Sequence, residues 1–193
     1  DGYYGQDVWG EANKILEPFI ENGMTIYAEI CGYAGGRIIQ KGYDYGCKPN
    51  EFFIMPYRIT TKVDGDRPRE WEVLDVYEWT KSLIEKNPKL EGLVKPIQIF
   101  YHGTLSELYP DVQITNHWNE NILQKLMNDK EHFGMEELEP LCKNKVPREG
   151  IVIRKDNDPL KQAFKLKCKR FLAQEGKNID NGEVDVEMQE AYN

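Results

Sequence analysis

Apolar positions fall into two rhythms along this chain. Near its start Val8, Trp9, Ala12, Ile15, Leu16, Phe19 and Ile20 return every three or four residues. That spacing predicts an amphipathic helix over residues 7–21, stopped at Asn22-Gly23. Three runs rich in β-branched and aromatic residues follow and predict strands: MTIYAEICGY (24–33), EFFIMPYRITT (51–61) and REWEVLDVYEW (69–79). Between the last two lies KVDGDRP, whose Asp64-Gly65 pair suits a hairpin turn, because both central positions need positive φ. Farther on, EWTKSLIEKN (78–87), NENILQKLMND (119–129) and MEELEPLCKN (135–144) predict helices, and PIQIFYHG (96–103) predicts a strand. EGIVIR (149–154) and FKLKCKRF (164–171) predict two closing strands joined by the polar stretch KDNDPLK. Strands and helices come in mixed order, without βαβ alternation or an internal repeat. The pattern therefore predicts an α+β fold of largely antiparallel sheets with flanking helices.

Composition narrows the class. The chain has 193 residues, 40% hydrophobic and 30% charged, which suits one folded domain with its own core. Residues 1–172 are expected to form it. After Gln174 the sequence turns to Gly, Asn, Asp and Glu, so residues 173–193 are expected to form an acidic, mobile tail. No apolar run approaches the roughly 18 residues of a membrane helix, and no membrane partner is expected. The N-terminus is neither basic nor apolar enough for a signal peptide. Four cysteines, Cys31, Cys47, Cys142 and Cys168, form no CxxC pair, which fits reduced thiols in a cytoplasm better than a zinc site. The net charge is −8, yet it is unevenly spread. Lys143, Lys145, Arg148, Arg154, Lys155 and Lys161 begin a basic stretch that continues to Arg170, ahead of the acidic GEVDVEMQE. Such segregation lets one face attract phosphates on an acidic protein.

Lys62-Val63-Asp64-Gly65 matches the Lys-x-Asp-Gly signature of enzymes that carry a nucleotide on a lysine. Turn geometry explains its glycine equally well. Glu149 opens a short strand on which Glu149, Ile151 and Ile153 share one face, with Gly150, Val152 and Arg154 on the other. Lys165 and Lys167 likewise share a face. A carboxylate beside two ammonium groups can hold a metal–phosphate group, and it can equally be ordinary cross-strand charge matching. His102, His117 and His132 have no sequence partners that suggest catalysis.

Four segments in order resemble the nucleotidyltransferase core of covalent polynucleotide ligases, most closely RNA ligases of bacteriophage type: YAEICGY (27–33), EFFIMPYRI (51–59), EGIVIR (149–154) and KLKCKRF (165–171). RIIQKGYDYGC (37–47) and VPREG (146–150) add to the likeness, which covers residues 7–172. The resemblance implies a nucleotidyltransferase (ATP-grasp-like) core. In that family the nucleophile motif precedes the first of these strands by several tens of residues, whereas Lys62 follows Glu29. Lys62 is therefore expected to be a turn residue, and the nucleophile to belong to a segment ahead of this chain.

What the resemblance implies can be set residue by residue. Glu29 would contact the ribose as a buried carboxylate accepting hydroxyl hydrogen bonds. Tyr57 would stack on adenine, with Phe53 on the same strand as the alternative, since Met55-Pro56 look inserted and leave the register open. Glu149 would support a divalent metal, Mg2+ or Mn2+. Lys165 and Lys167 would flank the α-phosphate of ATP, the pair Lys167 and Lys169 being the other register. Arg154 would contact phosphate, balance Glu149 or serve structure alone. The implied reaction adenylates a lysine, passes AMP to an RNA 5′-phosphate and lets a 3′-hydroxyl displace it. RNA ends or nicked RNA duplex would be the partners, with residues 102–148 shaping substrate choice, in the cytoplasm or, for a phage protein, the host cytoplasm. Alternatives are a nucleotide-binding fragment inactive without its nucleophile, or a DNA ligase or capping-type enzyme; the short tail weighs against the last two, which usually append an OB domain.

Overall fold

The computed structural model describes residues 7–62, 65, 67–113, 120–135, 137–156 and 163–180. They belong to two compact units. The first draws on Asp1–Gln98, Leu141–Asn144 and Arg154–Gln162; the second on Ile99–Pro140, Lys145–Ile153 and Ala163–Asn193. Both mix helices with antiparallel strands, so the α+β expectation holds at that level.

In the first unit, helix α1 (Val8–Leu16) starts where Asp7 accepts a 2.8 Å hydrogen bond from the Gly10 amide, a side chain satisfying a donor that the first turn leaves open. It gives way to a 3-10 turn at Glu17–Phe19, with Pro18 at its start. Strand β1 (Met24–Ala34) pairs antiparallel with β3 (Phe52–Thr61) along its length, and the sheet order is β2 (Arg37–Ile38), β1, β3, β4 (Arg69–Glu70). Side chains alternate across the pleat. Ile26, Ala28 and Ile30 of β1 pack with Ile54 against α1, whereas Thr25, Tyr27 and Glu29 are exposed on the other face. Burial of α1 rests on Val8, Ala12 and Leu16, spaced four apart as one helical stripe requires.

The third expected strand, REWEVLDVYEW, is a correction. Only Arg69–Glu70 pair with β3, and α2 (Val73–Lys86) takes the rest. The β-branched and aromatic content of this run suits a strand. Val76, Thr80 and Leu83, however, are buried at i, i+4 and i+7, a helical period continuous with EWTKSLIEKN. The hairpin between β3 and β4 is present, with Thr61 opposite Arg69 and Gly65 at φ +85°; Val63, Asp64 and Asp66 lie outside the described residues. Lys62 follows β3 directly, its amide donating to the Gly23 carbonyl at 2.8 Å.

PIQIFYHG forms no strand. The residues just before it do the pairing instead: Ile54 N donates to Leu93 O at 2.8 Å and Lys95 N to Ile54 O at 2.9 Å. Pairing on this edge goes no further, and Pro96 follows at once.

In the second unit, α3 (Leu105–Leu108) is closed by a capping box between Thr104 and Glu107, and α4 (Glu120–Asn128) buries Ile122 and Leu126. MEELEPLCKN contains no helix among its described residues. Pro140 sits in its middle, and Leu138 bridges to Pro147 while Arg148 N donates to Glu137 O. Strands β5 (Gly150–Arg154) and β6 (Ala163–Lys167) pair with each other. FKLKCKRF stops being a strand at Lys167. Helix α5 (Lys169–Asp180) takes the rest and runs on through the first part of the expected tail; residues 181–193 lie outside the described ones.

Among the described residues no helix is long and apolar enough to cross a membrane.

Candidate functional site

The first unit carries Glu29 and Tyr57 on neighbouring strands. Tyr27 pairs with Arg58 and Ala28 with Pro56, so Tyr57 is the extra residue of a β-bulge. Pro56 has no amide hydrogen for the ladder, and a bulge is one of the few places a sheet admits proline. The bulge turns Tyr57 outward, 44% exposed. Glu29 pairs with Met55 and is exposed as well, which corrects the expectation of a buried carboxylate: the odd positions of this part of β1 face away from the core. Burial first, and then the nearby Glu29 charge, raise the Tyr57 hydroxyl above its ordinary pKa. An aromatic face and a hydroxyl acceptor thus stand side by side.

Phe53, the alternative stacking residue, is 1% exposed. The Tyr45 ring meets it edge-on at 5.8 Å between centroids, and the Lys95 ammonium lies 4.1 Å over its centroid. A base could stack there only by displacing both. Of the two aromatics, Tyr57 is the open one.

Arg154, at the end of β5 and part of the first unit, donates from Nε and Nη2 to Asp156 Oδ1 at 3.0 and 2.9 Å, and from Nη2 to the Trp71 carbonyl. Its Nη1 lies 3.7 Å from Glu70 Oε1. Glu70 in turn accepts two hydrogen bonds from Arg58, at 2.7 and 3.0 Å, and Asp156 accepts from the Val73 amide at the start of α2. Of the three roles considered for Arg154, these contacts are those of a structural group.

The second unit carries Glu149, Lys165 and Lys167. Glu149 precedes β5, and Gly150 at φ +154° releases it from the strand's alternation. A side chain at Gly150 would strike the Leu166 carbonyl, so only glycine allows β6 this close. Glu149 O accepts from Cys168 N at 2.8 Å, and its carboxylate meets Lys165 Nζ at 2.5 Å. Lys167 Nζ lies 3.4 Å from Glu175 Oε1 and 5.4 Å from the Phe171 centroid. Lys169 has left the strand and opens α5, which separates it from the face Lys165 and Lys167 were expected to share. The structure brings Glu149 and Lys165 together and gives Lys167 a different carboxylate.

Among the described residues no group of three or more His, Cys, Asp or Glu side chains could hold a metal ion. Glu149, the residue expected to support a divalent metal, holds the Lys165 ammonium at its carboxylate.

Three features went unread in the sequence. Lys95 reaches the sheet face that bears Glu29. Arg148 is buried, donating from Nη1 to Phe133 O at 2.6 Å with its guanidinium 4.9 Å from the Phe100 centroid. Asp129 accepts from the Tyr109 hydroxyl at 2.8 Å and the His132 amide at 3.0 Å, and its Oδ2 lies 2.9 Å from His132 Nδ1. His132 therefore does have a carboxylate partner, in a turn that closes α4. The three-residue spacing of Asp129 and His132 was the signal that could have found it. His117 lies outside the described residues.

No family model, no curated protein and no solved structure matches this chain.

Proposed function

We propose that this chain is the nucleotidyltransferase core of an ATP-dependent RNA ligase of bacteriophage type, joining RNA 5′-phosphate and 3′-hydroxyl ends through lysyl-AMP and RNA-adenylate intermediates. The observation that carries the reading is an outward Tyr57 near enough to Glu29, on the adjacent strand, for the Glu29 charge to act on its hydroxyl. A flat aromatic suits a base, and a carboxylate beside it suits ribose hydroxyls. The Glu149–Lys165 pair adds support, as a carboxylate and an ammonium group of the kinds that metal-bound phosphate requires. Magnesium would supply charge neutralisation at the phosphate when bound. Lys165 and Lys167 would offer N–H donors to oxygens that gain charge as the leaving group departs. Lys62 has no part in the proposal.

The last step of the reaction needs no lysine nucleophile and tests the core directly. The full chain is given an RNA strand already carrying 5′-adenylate, a 3′-hydroxyl strand and magnesium. Joined product with release of AMP, lost in Lys165→Ala, is the expected result. A folded chain that joins nothing and releases no AMP would overturn the reading. A parallel incubation with α-labelled ATP separates a covalent adenylate from reversible binding.

A further inference from the structure

We infer that Lys95 is a phosphate contact on the Glu29–Tyr57 face, a site residue that neither motif nor spacing marks; the inference rests on the nucleotide reading of that face. The backbone decides where Lys95 points. Residues 93–95 run along β3 on the edge opposite β1, through Ile54 N to Leu93 O at 2.8 Å and Lys95 N to Ile54 O at 2.9 Å. Ile54 and Val94 are parallel partners, and both are buried in the core, at 0% and 1% exposure. Alternation sends the next residue, Lys95, to the opposite face. Its ammonium, 4.1 Å over the Phe53 ring, confirms that placement, because Phe53 precedes Ile54 and shares that face.

Glu29 is on the same face, with Met55 as its partner in β3. Across the sheet the order is carboxylate, thioether and ammonium. Strands are spaced about 4.8 Å apart, so the outer two rows stand roughly 9–10 Å apart. That separation suits two grips on one ligand lying across Met55. Among the described residues no carboxylate is within ion-pair distance of Lys95; an aromatic face holds it, which leaves its N–H donors for an oxyanion. With the base on Tyr57 and ribose hydroxyls on Glu29, a 5′-phosphate is the group Lys95 would meet.

The test compares ligands that differ only by phosphate. Binding of AMP and adenosine to the full chain is measured by calorimetry for wild type, Lys95→Met and Lys95→Arg, with thermal unfolding to show that each is folded. Methionine keeps the apolar stem on Phe53 and removes the charge. The expected result is about a tenfold loss of AMP affinity in Lys95→Met, as for a lost charge-assisted hydrogen bond, with adenosine unchanged and most AMP affinity kept in Lys95→Arg. A second arm uses 5′-phosphorylated and 5′-hydroxyl oligoribonucleotides. A loss confined to the phosphorylated oligonucleotide would support Lys95 as phosphate contact with an RNA end as the source. An unchanged phosphate preference in both arms would overturn the role of Lys95 while leaving the face a nucleotide site. Wild type that binds neither AMP nor adenosine nor either oligonucleotide would overturn the nucleotide reading itself, and the inference with it.

Discussion

Lys165 Nζ and Glu149 Oε1 are 2.5 Å apart, on side chains that are 41% and 31% exposed. Exposed ion pairs of this kind contribute under about 1 kcal/mol. Removing Lys165 with alanine should therefore change the unfolding free energy by less than about 1 kcal/mol. If the proposed function holds, it should also lower the rate of sealing adenylated RNA by at least about a hundredfold, the order seen when one preorganised donor is removed. Urea unfolding and single-turnover sealing measured on the same preparation check this. A stability loss as large as the activity loss would mean the pair is architectural.

Phe53 and Tyr57 should separate core from ligand contact. Phe53→Ala empties a buried site and is expected to cost about 3–5 kcal/mol of stability. Tyr57→Ala removes a ring that is 44% exposed; it should cost far less stability and weaken adenosine binding by about 1–3 kcal/mol. Denaturation midpoints and calorimetric affinities for both variants decide it.

Glu70 accepts a bidentate pair from Arg58 and also faces Arg154. Glu70→Gln keeps the shape and removes the charge between two guanidinium groups. The expected loss is about 1–3 kcal/mol, the scale of hydrogen bonds to charged groups. Double-mutant cycles with Arg154→Met would show coupling if the network acts as one unit, and additive effects would show that it does not.

Asp129 and Tyr109 predict opposite pH limits. Burial raises the Asp129 carboxyl, but hydrogen bonds from the His132 amide, the Tyr109 hydroxyl and the His132 ring outweigh it and hold the group below its ordinary value. Its folded pKa is thus depressed. The stabilisation is complete above the ordinary carboxyl range of about 4 and is lost as pH falls through the folded value. Burial, then the bond to Asp129, push the Tyr109 hydroxyl well up. That contribution is complete below the ordinary phenol range of about 10 and is lost as pH rises through the folded value. Tyr109→Phe should flatten both limbs of stability against pH. Unchanged limbs in thermal melts across the range would contradict the assignment.

Much of the fold follows from local patterns. The α1 stripe, β1, β3 and β5 lie where period and composition put them, because burial of one face writes itself into the spacing of apolar residues. Where composition and period disagreed, at Val73–Lys86, period was right: a helix can carry β-branched and aromatic residues, but it must bury every third or fourth position. PIQIFYHG has the composition of a strand and is not one: the pairing beside β3 ends at Lys95, just before it.

For the candidate site, the sequence by itself determined which chemical groups are available: Glu29, Tyr57, Glu149, Lys165 and Lys167 are present whatever the chain does. Only the tertiary structure decided which of them meet. The bulge at Pro56-Tyr57 turned one aromatic outward while Lys95 and Tyr45 covered the other. Gly150 let Glu149 reach Lys165, and Arg154 was drawn to Asp156 and Glu70. Lys95 joined the face of Glu29 through pairing with a strand some forty residues earlier in the chain. Residues distant in sequence become neighbours only through backbone pairing and packing, and those are properties of the whole chain.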